Sequence, residues 1–133
     1  MKEKLQAFAD LVERHGLAQL VLSGVNCEAN QINTKSHIRP GRKFTKVDRG
    51  SSGKFMVDNA TGEIFGIKAY GQVHRGHCYG TLDTIADWYW GRYYPERWDI
   101  VEVQSDAAAI RMEIEKTSLD HHHQCAATAG GAA

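Results

Sequence analysis

A chain of 133 residues with 42% hydrophobic and 24% charged side chains can bury one core and is too apolar for wholesale disorder. Its 16 basic and 16 acidic residues cancel, and no apolar run approaches the roughly 18 residues that span a bilayer, so no membrane role is expected. The cancellation is not local: residues 33–80 hold Lys35, Arg39, Arg42, Lys43, Lys46, Arg49, Lys54, Lys68 and Arg75 against only Asp48, Asp58 and Glu63, while residues 81–133 are net acidic.

In chain order, Leu5, Phe8, Ala9 and Val12 recur at helical spacing and predict an amphipathic helix over 2–15, with Gly16 placed to end it. Glu3, Asp10, Glu13 and Arg14 interrupt its apolar positions, leaving no signal-peptide core. The run Leu17 to Leu22 suits either a strand or one more buried turn. Ser23 to Pro40 is polar and without period, the pattern of a long connection. Lys43 to Val47 predicts a strand, and Lys54 to Tyr70 predicts a β-hairpin whose turn, Asn59-Ala60-Thr61-Gly62, closes on a left-handed glycine. The same turn accounts for the Asn59 sequon without glycosylation.

Three glycines between Gly71 and Gly80 point to a loop. Thr81 is then placed to cap a helix with Leu82, Ile85, Ala86 and Tyr89 on one face and Gly91 as its stop. Trp98 to Val103 predicts a short strand, and Ser105-Asp106 a cap for a last helix through Lys116. The elements add up to an α+β fold: a small antiparallel sheet centred on a hairpin at about 54–70, with N-terminal and C-terminal helices. One domain over 1–117 is expected, followed by a mobile tail at 118–133.

Two constellations suggest chemistry. Clustered Lys and Arg neutralise phosphates and exposed aromatic faces stack unpaired bases, so the cations interleaved with Phe44, Phe55, Phe65, Tyr70 and Tyr79 suit single-stranded nucleic acid or another anionic ligand. Phosphate contacts are expected from Arg39, Arg42, Lys43, Lys46, Arg49, Lys54, Lys68 and Arg75. The competing reading is a solvated sheet face offset by the acidic C-terminal half. In the second constellation, His74 and His77 flank Arg75 and precede Cys78, so the imidazoles are candidates for acid and base in phosphodiester cleavage without a metal, with Arg75 steadying the developing charge. A structural zinc would need a fourth ligand, which His37 or Cys27 could bring only if the fold carried it in from a distance, so neither metal nor cofactor is expected.

Gly50-Ser51-Ser52-Gly53-Lys54 approaches a phosphate-binding loop but lacks its spacing. Trp88, Trp90, Tyr93, Tyr94 and Trp98 are too many for one helix face, which makes the surplus a candidate homo-oligomer interface. Cys27, Cys78 and Cys125 are odd in number and unpaired by motif, as in a reducing, cytoplasmic compartment. His121, His122 and His123 fall in the expected tail, which weighs against a metal role.

The stretches Gly53-Lys-Phe-Met-Val57, Thr61-Gly-Glu-Ile-Phe-Gly-Ile-Lys-Ala-Tyr-Gly71 and Tyr79-Gly-Thr-Leu-Asp-Thr-Ile85 resemble small uncharacterised proteins of phage and mobile-element genomes. The resemblance implies an accessory, genome-handling or defence role and no particular activity. The leading expectation is therefore a non-enzymatic protein that binds nucleic acid through its basic β segment. The alternatives are a small nuclease using His74 and His77, and an oligomeric interaction module.

Overall fold

The computed structural model describes residues 1–104 and 107–117. Helix α1 (Lys2–Leu22) carries the expected buried stripe of Leu5, Phe8, Ala9 and Val12, and it runs through Gly16 rather than ending there. A Cβ at Gly16 would stand 2.6 Å from Thr34 Cγ2, so the missing side chain admits a neighbouring element and does not break the helix. Leu17 to Leu22 thus continues α1, which turns off at Gly24 with φ +71°.

The polar stretch after it is not a plain connection: it contains α2 (Glu28–Thr34) and the edge strand β1 (Ser36–Arg39). Only Thr34 of α2 is buried, so this helix has no apolar period to betray it. Side-chain amides tie it down, Asn30 donating to Val25 O at 2.7 Å and Gln31 to Asn26 O at 2.7 Å.

Strands β1, β2 (Phe44–Arg49), β3 (Ser52–Asp58), β4 (Glu63–Ala69) and β5 (Gln72–Thr81) form one antiparallel sheet in chain order. The expected hairpin is β3–β4, with Gly62 at φ +77° donating to Asp58 O at 2.8 Å. Asn59 braces the neighbouring turn, donating to Gly41 O and accepting from Thr45 Oγ1.

Gly71 to Gly80 is a strand and its approach, not a loop. Gly71 and Gly80 take positive φ around the ends of β5, and the ladder jumps from Phe65–Cys78 to Gly66–His74. Arg75, Gly76 and His77 are thereby left out as a bulge, so the glycines serve a strand that must bend.

Thr81 caps no long helix. Thr84 Oγ1 accepts from Thr81 N at 3.0 Å, a 3₁₀ turn covers Ile85–Asp87, and the chain then extends as β6 (Trp88–Tyr89). Extension sends successive aromatic rings to different places. Trp90 enters the core beneath α1, whereas Tyr89 joins a second cluster with Trp98, Val101 and Ile110. Strand β7 (Glu96–Arg97) pairs with β6, and the strand expected at Trp98 is instead helix α3 (Trp98–Gln104), whose buried Trp98 and Val101 have helical i, i+3 spacing. Residues 107–117 are helical, but the proposed Ser105-Asp106 cap and the 118–133 tail lie outside the described residues. The fold is α+β, with the main core formed by Leu5, Phe8 and Val12 of α1 against Val47, Phe55, Val57 and Ile64.

Candidate functional site

Neighbouring residues on a strand face opposite sides of the sheet, and this divides the basic tract. Val47, Phe55, Val57 and Ile64 turn toward α1, so Phe44, Lys46, Asp48, Met56 and Phe65 turn outward. On that outer face the Arg75 guanidinium lies 5.6 Å from the Phe44 ring centroid and 5.7 Å from that of Phe65. The two rings meet edge to face at 6.4 Å, and Lys43 Nζ stands 5.7 Å from Phe44. One strand pairing away, Lys46 sits opposite Arg39 and places Nζ 4.7 Å from the Tyr70 ring.

Asp48 organises this row, and the sequence reading assigned it no role. Its Oδ2 accepts from Arg39 Nε at 2.9 Å and from the Tyr70 hydroxyl at 3.0 Å. At 2% exposure it holds those side chains through Oδ2. Arg39, Arg42, Lys43, Tyr70 and Arg75 remain exposed to solvent, and Lys46 is half-buried.

Arg49 does not belong to the interface. Its guanidinium donates to Val12 O at 3.3 Å and to Trp90 O at 3.1 Å, and burial lowers its pKa, so it fastens α1 to the sheet. Lys54 and Lys68 are on the helix-facing side. There they line a cavity of about 390 Å³ with His74, His77, Tyr79 and Tyr94. Lys54 Nζ donates to Tyr93 O at 2.6 Å and lies 4.6 Å from the Tyr93 ring; burial, followed by the charge of Arg49, lowers its pKa to about 8. Burial, then Tyr94, raises the Tyr79 pKa.

The bulge in β5 brings His74 and His77 face to face, with ring centroids 4.0 Å apart and planes 6° from parallel. Gly66 forms the floor beneath them: a Cβ there would approach His77 Cβ to 3.2 Å. This arrangement does not suit the expected acid–base pair. Stacked rings leave no space for a phosphate between them, while Arg75 points to the opposite face onto Phe44 and Phe65.

The Gly50 loop does not hold its first glycine N–H open for a phosphate. Gly50 takes φ +62° and its N–H is already given to Lys35 O at 2.7 Å, in a tight turn between β2 and β3. Among the aromatic residues expected at an interface, Trp90 and Trp98 are core, and Trp88 is half-buried against Tyr79 and Trp90. Tyr93 and Tyr94 alone of that set are exposed, at 78% and 59%. Cys27 and Cys78 are exposed free thiols.

Among the described residues no group of three or more His, Cys, Asp or Glu side chains is arranged to hold a metal, and no helix is long and apolar enough to cross a membrane. No protein-family model, curated protein or solved structure matches the chain.

Proposed function

We propose that this protein binds single-stranded nucleic acid, without catalysis, across the outer face of its sheet. The observation that carries this reading is the Arg75 guanidinium held over both Phe44 and Phe65, beside Lys43 and near the Arg39–Lys46 pair. A planar cation on aromatic rings offers a surface for a base to stack on, and the surrounding ammonium and guanidinium groups meet the phosphates on either side. Arg39, Arg42, Lys43, Lys46 and Arg75 supply those contacts. Lys54, Lys68 and Arg49, which face the other way or are buried, do not. The reading accords with a genome-handling accessory role in a phage or mobile element and with a cytoplasmic, reducing location for the exposed thiols of Cys27 and Cys78.

Affinity is expected to fall with salt. Five phosphate contacts to a single strand give a slope of about −3.5 in log K against log salt, or roughly a 130-fold loss between 50 and 200 mM. Fluorescence anisotropy of labelled oligonucleotides measures this. Arg75→Ala is expected to weaken binding by about ten-fold or more and to flatten the slope by about 0.7. Salt-independent binding, or an Arg75→Ala variant that binds like the parent, overturns the proposal.

A further inference from the structure

We infer that the cavity on the helix-facing side of the sheet is a second, separate site, which binds a small anion carrying a planar ring, of the nucleoside monophosphate type. Its volume of about 390 Å³ lies within the roughly 300–1,000 Å³ of small-molecule pockets. The lining includes Lys54, Lys68, His74 and His77 and not one carboxylate, so its charge selects an anion. The exposed Lys68 ammonium is the group free to meet a phosphate, because Lys54 is already engaged with the Tyr93 carbonyl.

Tyr79, Tyr94 and the flat His74–His77 stack provide faces and edges for a ring, with His77 and Tyr94 at right angles 5.8 Å apart. Residues 93–95 wall the cavity opposite the sheet, which favours a compact ligand over a continuous strand.

This site does not depend on the outer face. Phe65 and Gly66 are consecutive and face opposite ways, so the Arg75 cluster and the cavity are on opposite sides of the same strand. Failure of one proposal therefore leaves the other standing.

Isothermal titration calorimetry of the full chain with AMP, GMP, CMP and UMP tests the inference, with adenosine and inorganic phosphate as controls. At least one monophosphate is expected to bind ten-fold or more tightly than either control. Lys68→Ala and Tyr94→Ala, both exposed positions, are each expected to weaken it ten-fold or more, with Arg75→Ala within two-fold of the parent. The inference is overturned if no monophosphate binds, if adenosine or phosphate alone binds as well, if Lys68→Ala and Tyr94→Ala leave affinity unchanged, or if Arg75→Ala abolishes it.

Discussion

Acidification below pH 6 is expected to destabilise the protein steeply, through His15. This imidazole is 4% exposed, accepts a hydrogen bond from Trp90 N at Nδ1 (2.9 Å), and packs against the rings of Tyr89 and Trp98. Burial first, then the charges of Arg14, Arg49 and Arg111, lower its pKa from 6.5 to about 3. The unfolded chain therefore takes up a proton between those values that the folded chain refuses. The stabilisation is complete above the unfolded pKa and declines as pH falls, by up to about 1.4 kcal/mol per pH unit, until the folded pKa is reached. Urea denaturation at pH 7, 6, 5 and 4 measures the slope. His15→Asn retains an acceptor near Nδ1 and removes the proton site, so its stability should fall less over the same range. Equal slopes in the two proteins would show that other groups carry the acid sensitivity.

Trp90→Ala is expected to cost about 3–5 kcal/mol, the range for deleting a large aromatic side chain from a close-packed core. Trp90 is fully buried, with its ring centroid 4.8 Å from that of Phe8, 5.4 Å from Phe55 and 6.2 Å from Tyr79, and its Nε1 donates to Ile85 O at 3.0 Å. It joins α1, the sheet and the segment after β5, so truncation removes contacts from all three and strands the Ile85 carbonyl. A loss of that size is a large part of the roughly 5–15 kcal/mol that holds a domain folded. Trp88→Ala, at a half-buried position two residues earlier, is expected to cost clearly less in the same urea titration. Equal losses at the two positions would contradict the placement of the core.

The parts of this fold that depend on nearby residues were legible in the sequence. The α1 stripe of Leu5, Phe8, Ala9 and Val12 repeats within three turns, and the β3–β4 hairpin announces itself in Asn59 to Gly62. What was not legible depends on distant partners. Gly16 looks like a helix stop until Thr34, eighteen residues later, is seen to need its space. The glycines of β5 look like a loop until pairing with β4 shows which of them bend a strand. The spacing of Leu82, Ile85, Ala86 and Tyr89 suits a helix, yet the destinations of Tyr89 and Trp90 in separate clusters demand an extended chain.

The candidate site shows the same division. The cations and aromatics were countable, but their side of the sheet follows from register and from the Arg75–His77 bulge, which no local pattern signals. Arg49 is indistinguishable in sequence from Lys46, and only the closeness of the Val12 and Trp90 carbonyls makes it a structural residue.

Chemical-shift mapping with isotopically labelled protein and a short single-stranded oligonucleotide tests most directly which surface meets the strand. The largest shifts are expected at Arg39, Lys43, Phe44, Lys46, Tyr70 and Arg75, with Lys68 and Tyr94 little changed. Shifts confined to Lys68, His77 and Tyr94, or none at saturating oligonucleotide, would contradict the outer face as the nucleic-acid surface.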